Sequence, residues 1–395
     1  MWKEIFLVTK HLSMGQNSRV FRSPWDKPLA SRLQLLKAGT IRVGYFYEVP
    51  DSGSFRYRAY NMAQALNSHS KTHSASFFFL SDIPLVENFT DYLDVLVLVR
   101  FRFSGAVSRL IGQFRAKEKK VLFDIDDLIF DPSHTPLVAA SLNFGLEPGL
   151  VLDNWYSLTS RLGQTLTASD AAIVSTPTLA EQVSLLHEKT VGVIPNFLNS
   201  EQLETSEKIR DETPVSTGSG LTIGYFSGSK SHALDFAVAE TAIIEFLLSN
   251  KDARFVVGGF LEVPAELEKL DAQFTRLPFM DYVSLQRAIA SVDVNVVPLQ
   301  HNSFTDSKSE LKFFEAAAVS TVTIASPTEV FSRVINHQVT GLLSEADQWL
   351  VTFEGVQALS LPERARIAGR AREFSLSHYT GEAQLHSIEK ALNLA

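Results

Sequence analysis

Twice along this sequence, short apolar runs alternate with stretches of helical period, and that pattern limits the fold more than any other feature. Ile41–Tyr47 (IRVGYFY) has the length and content of a buried strand, and residues 57–66 follow at helical spacing. Residues 76–80, 95–99, 121–123, 171–175 and 191–194 repeat the strand-like run, with helix-sized intervals between them. Runs that are apolar throughout suit a parallel sheet covered by helices on both faces. From 199 to 220 the pattern stops: the stretch is polar, rich in Ser, Thr and Glu, and reads as a linker. The alternation then restarts with strands at 221–226, 254–258, 292–297 and 321–325. Helices are expected around 234–248, 282–291, from 309 onward, at 362–374 and at 381–394. The expectation is α/β: two Rossmann-like units facing a cleft at the carboxyl ends of their sheets, where such folds take ligands.

Composition removes several classes. The 395 residues suffice for two domains. With no cysteine, a disulfide scaffold, a thiolate zinc site and a cysteine nucleophile are excluded. The net charge of -8 and the lack of a dense Lys/Arg run argue against nucleic acid as a partner. No stretch approaches the roughly 18 apolar residues of a spanning helix, and the start lacks a signal-peptide core, which fits a cytoplasmic protein. The first forty residues mix Trp2, Phe6, Phe21 and Trp25 with Lys and Arg. They read as an extension packed on the first unit, with peripheral membrane contact as the alternative.

The segment 293–318 (DVNVVPLQHNSFTDSKSELKFFEAAA) carries the chemistry. A strand ends at Pro298, a polar loop holds Asn302, Ser303, Thr305, Asp306 and Ser307, and a helix is expected from Ser309. On helical spacing Lys308, Lys312 and Glu315 share one face, while Leu311, Phe314 and Ala318 form another. Cations in the first turns oppose the helix dipole. A bound phosphate would offset that cost, because the same helix end attracts anions. Glu315, one turn on, could accept from the paired hydroxyls of a ribose. The alternative is a solvated face with an ordinary Lys–Glu pair.

This segment resembles the C-terminal motif of family 4 glycosyltransferases of GT-B fold, in the bacterial branch that carries K-S-x-L-K-x-x-E and D-I-D-D-L. The family's second Glu, which binds the ribose of the sugar nucleotide, matches Glu315 followed by Ala316–Ala318. The family's first Glu falls at Ser307, with Asp306 adjacent, and Val319-Ser320-Thr321 stands where the family has G-x-P. Within 223–236 (IGYFSGSKSHALDF) a strand, a Ser/Gly turn and a helix suit a phosphate cradle. There the resemblance assigns Lys230 to the diphosphate, with Ser229 and His232 beside it. It likewise implies donor contacts from Ser309, from the turn at Gly53 and from Arg56. Arg58 is a further candidate, since Arg matches phosphate geometry. Val193–Asn196 and Gly341-Leu342-Leu343 match structural elements of the family. The domains implied are an extension at 1–40, an acceptor domain at 41–205, a linker at 206–220, a nucleotide-sugar domain at 221–375, and a terminal helix at 376–395 crossing back.

Residues 123–131 (FDIDDLIFD) place Asp124 and Asp126 at a strand end on one side, with Asp127 next. Carboxylates so close repel, so a metal, a basic partner or a raised pKa is expected. Three readings compete. A haloacid-dehalogenase-like phosphatase would use Asp124 as nucleophile and Asp126 as acid/base. A single-domain glycosyltransferase would bind metal there. In the family 4 branch these acids would face the cleft and orient the acceptor or act as base, with His134 a lesser candidate. The third reading explains both halves of the chain. It implies transfer from a nucleotide sugar, which is a substrate and not a cofactor, to a glycan or lipid-linked acceptor in bacterial surface polysaccharide synthesis. Lysines would do the work of a metal. A GT-B-like binding subunit without activity is the remaining alternative, supported by Ser307.

Overall fold

The computed structural model describes residues 23–51, 53–144, 146–147, 149–213, 220–228 and 232–394. Among them two six-stranded sheets form, and every strand pair is parallel. The first contains β1 (Ile41–Tyr47), β2 (His73–Phe79), β3 (Val95–Val99), β4 (Lys120–Ile125), β5 (Ala171–Val174) and β6 (Val191–Val193), in the order β2-β1-β3-β4-β5-β6. The second contains β7 (Thr222–Ser227), β8 (Arg254–Gly259), β9 (Phe274–Leu277), β10 (Val294–Val297), β11 (Val322–Ala325) and β12 (Leu342–Leu343). Its order is β12-β11-β10-β7-β8-β9. The strand order reverses between β1 and β3 in one sheet and between β7 and β10 in the other. Crevices open at the strand ends there. The VLVLV run of β3 is buried at every residue, because helices cover both faces of the sheet.

The helices used below are α1 (Asn61–His69), α2 (Leu150–Ala168), α3 (Ser200–Glu212), α4 (Ala233–Ser249), α5 (Tyr282–Ala290), α6 (Leu311–Ala318) and α7 (Gly381–Leu392). A buried turn of π geometry, Arg56–Tyr60, leads into α1. The stretch expected to be a linker is helical over Ser200–Glu212. Its missing apolar period has a physical cause. The inward face carries Gln202, Ser206 and Ile209, and the Ser206 hydroxyl meets Tyr282 Oη at 3.1 Å and donates to Gln286 at 3.1 Å. Asn199 and Gln202 close a capping box at its start.

The chain crosses between the units twice, and the crossings lie side by side. Leu198 N–H donates to the Tyr379 carbonyl at 3.0 Å, and Leu198 bridges Thr380 in parallel. Beyond that point α7 packs on α1 and β6 of the first unit. One apolar core runs through both units, from Tyr57 and Tyr60 to Phe313 and Phe314, with Phe314 stacked on Tyr379 at 4.8 Å.

Within α2, Gly163 lies against the loop after β4. A Cβ there would sit 2.4 Å from the Phe130 carbonyl oxygen. Gly163→Ala should therefore lower stability by about 1–3 kcal/mol despite alanine's better helix propensity. A drop in thermal or denaturant midpoint checks this; no drop would mean that α2 shifts freely.

Candidate functional site

The carboxyl ends of both sheets line one interdomain cavity of about 200 Å3 that opens to solvent. The first unit contributes Gly53, Arg56 and Tyr57; the second contributes Phe226, Gly258, Gly259, Met280, Tyr282, Lys312 and Glu315. Gly259 takes φ +90°, and a Cβ there would lie 2.0 Å from the Ser227 carbonyl oxygen, so only glycine keeps this wall in place. Arg56 is 4% exposed. Its guanidinium lies 4.7 Å from the Trp25 ring centroid and 5.1 Å from that of Tyr282, and its Nε has no hydrogen-bond partner. Among the described residues it forms no ion pair within 4 Å, and the carboxyl that feels its charge is Glu315, on the same cavity.

Helix α6 starts at Leu311, with Glu310 before it. Lys312 and Glu315 are on the helix, but Lys308 sits in the turn preceding it, so the expected three-residue helical face is not formed. Lys308 does not line the cavity and is held instead by an acid on α4. Its Nζ lies 3.4 Å from Asp235 Oδ2 on α4. Asp235 also faces His232 Nδ1 at 3.0 Å and accepts from Gln300 Nε2 at 3.0 Å. Burial alone would raise the Asp235 carboxyl, but the His232 hydrogen bond and the Lys308 charge hold it well below its ordinary value. Burial and the two nearby lysines bring His232 down to about 4, which keeps the imidazole neutral. Lys312 Nζ lies over the Tyr225 ring at 4.9 Å. Burial and the Lys308 charge lower its ammonium to about 8. Glu315 is 7% exposed and accepts from the Tyr57 hydroxyl across the cleft; burial pushes its carboxyl up to about 7.

Residues 220–358, most of the second unit, match the family profile described as Glycosyl transferases group 1. No match is found among the curated proteins. Several solved structures superpose over nearly the whole chain. A glycosyltransferase from Rickettsia africae matches at TM-score 0.60 and 12% identity, covering 90% of this chain and 100% of its own. Sucrose-phosphate synthase from Thermosynechococcus elongatus matches at 0.59 and 13%, covering 89% and 99%. Anabaena HepE in complex with UDP and glucose matches at 0.58 and 12%, covering 89% and 99%.

The fold is GT-B.

In the first GT-B domain the acidic motif is held by arginines. Asp124 is fully buried and takes a bidentate grip from Arg58, with Nε and Nη2 each 2.8 Å from a carboxylate oxygen. Burial raises its carboxyl to about 6, and Arg58 opposes that shift. Arg58 also donates to the Ile194 carbonyl and to Asn196 Oδ1 at 3.2 Å. Asp124 thus lies behind the cleft wall and does not line the cavity, contrary to the expectation that it faces the cleft. Asp126 and Asp127 share Arg100, whose Nη1 lies 2.7 and 2.6 Å from them. Of the three acids, Asp127 has the most exposed side chain, at 31%.

The other candidates separate in the same way. Gly53 lines the cavity, but its N–H donates to Asp51 Oδ1 at 2.9 Å. Ser309 Oγ accepts from Asn196 Nδ2 at 3.1 Å, which ties the two GT-B domains together. Asp306 Oδ1 accepts from the Glu329 N–H at 3.0 Å. Ser229 and Lys230 lie outside the described residues. Tyr57, Asp235 and Tyr282 were not singled out from sequence. His232 and Asp235 lie three apart at a helix start, and that spacing was the one local signal available.

Proposed function

We propose that this GT-B chain is a glycosyltransferase moving a sugar from a nucleotide-sugar donor to a glycan or lipid-linked acceptor. The observation that carries the reading is the cavity between the domains, with a buried acid, Glu315, beside basic groups at a strand-order reversal. The group 1 match over the same domain supports it, as does the fold shared with HepE bound to UDP and glucose.

In this reading Glu315 accepts from the ribose hydroxyls. Lys308 and Lys312, with Arg56 across the cleft and Lys230, neutralise the diphosphate. The bond from the sugar's anomeric carbon to the diphosphate breaks, the acceptor oxygen bonds to that carbon, and the acceptor proton leaves to a base. Cations fixed beforehand around the diphosphate lower the cost of its departure as an anion. That role needs no metal. None of the three acids lines the cavity; Asp127, which shares Arg100 with Asp126, has the most exposed side chain and is the one open to an acceptor. The sealed position of Asp124 argues against its use as a phosphatase nucleophile. The resemblance to the bacterial branch suggests surface polysaccharide synthesis at the cytoplasmic face of the membrane.

Thermal melting with UDP-, GDP- and dTDP-sugars tests the reading. One donor class should raise Tm, and Glu315→Gln should weaken that donor by at least about tenfold through its hydrogen bonds to a charged acceptor. No shift with any of the sugars would sink the donor site. Binding without turnover on any glycan acceptor would point to a non-catalytic subunit instead.

A further inference from the structure

Among the described residues, Glu315 receives one side-chain hydrogen bond, and its donor belongs to the other domain: the Tyr57 hydroxyl. That hydroxyl is itself held, accepting from Gln202 Nε2 at 3.2 Å. The orientation of Gln202 follows from its other end. Its Oε1 accepts from the Asn199 backbone N–H at 3.1 Å and from Asn61 Nδ2 at 2.8 Å. A backbone N–H can only donate, so the oxygen must lie there and the amide nitrogen must face Tyr57. With its oxygen already accepting from Gln202, Tyr57 directs its one proton to Glu315. Tyr57, Gln202, Asn61 and Asn199 are all at most 2% exposed, so water does not compete for these bonds. The series begins at Asn199, next to the paired crossings at Leu198 and Thr380, and ends in the donor cavity.

We propose that Tyr57, aimed by Gln202, is the positioning residue that completes the ribose seat on Glu315, so that the nucleotide meets a finished site only when the two domains are closed. This rests on the reading that Glu315 holds ribose hydroxyls. Tyr57 occupies Oε1 and favours the charged form, leaving Oε2 and the remaining lone pairs to accept from the sugar. The charged and titratable groups facing Glu315 are Arg56 and Tyr57 from the first domain, Lys312 on its own helix and Tyr282 on α5. Burial pushes the carboxyl up, and Tyr57 is the foremost of the groups that bring it down. Without the phenol, Glu315 stays protonated to higher pH.

The test measures Kd for UDP, GDP and dTDP by calorimetry from pH 6 to 9. It uses wild type, Tyr57→Phe, Glu315→Gln and the double variant, with melting curves to show that each is folded. For the diphosphate that binds, Tyr57→Phe should be about tenfold weaker than wild type at pH 7, the size of one hydrogen bond to a charged group. The ratio of variant to wild type should shrink as pH rises, because Glu315 ionises late in the variant; taking the ratio cancels Lys312. In the Glu315→Gln background the same change should cost less than about twofold, since the two residues act as one unit. Gln202→Met should weaken binding in the same direction by a smaller factor. A pH-flat ratio, or a full tenfold loss in the Glu315→Gln background, overturns the positioning role and leaves the ribose reading intact. If Glu315→Gln binds as tightly as wild type, or none of the three diphosphates binds, the ribose reading fails and this inference with it.

Discussion

Asp124→Asn should cost about 3–5 kcal/mol of folding stability, as expected for a buried ion pair that loses one partner. Arg58 has no exposed side-chain surface, and Asp124 supplies two of its hydrogen bonds. An asparagine of the same shape keeps one acceptor but leaves the guanidinium without its counter-charge. Urea denaturation measures the loss. The matched change Asp124→Leu with Arg58→Met should recover much of it, because removing both charges also removes the desolvation cost. A variant as stable as wild type and devoid of activity would return Asp124 to the chemistry.

Lys312→Met should lower kcat/KM by about 10²–10³, the usual cost of losing one fixed group that stabilises developing negative charge. The protein should melt no lower, since this ammonium forms no ion pair among the described residues and is itself costly to bury. The pH profile is the sharper readout. Burial and Lys308 lower Lys312 to about 8, so the free enzyme carries this charge below pH 8 and loses it above. The kcat/KM of wild type should fall as pH rises through that value. Lys312→Arg should move the fall to higher pH, because a guanidinium stays charged throughout. A profile that is flat from pH 7 to 9 would remove Lys312 from the diphosphate.

These two variants mark where sequence reading stops. The β3 run VLVLV was legible because every residue is buried, which leaves an unbroken apolar word. β9, at a sheet edge with Thr275 and Arg276 exposed, has no such run and went unseen. Helix α3 was mistaken for a linker because its buried face is built from amide and hydroxyl groups, which a search for apolar period does not register. Lys312 and Glu315 were found because local spacing holds on one helix. Asp124 was assigned to the cleft because a strand-end acid looks reactive until Arg58, 66 positions away, is seen to hold it. Tyr57 and Glu315 are separated by 258 positions, so no local pattern could join them.

The packing of α7 on α1 and β6 bears on how the chain folds as it leaves the ribosome. Gly192 on β6 leaves room for Ala391 and Leu394; a Cβ there would come within 2.9 Å of Ala391 Cβ. The first domain therefore keeps an apolar face uncovered from the synthesis of β6 (Val191–Val193) until α7 (Gly381–Leu392) emerges to cover it. Domains that finish early fold as they are made. This one must wait for α7, so in a translating cell the form made before α7 is the state most exposed to chaperones and proteases.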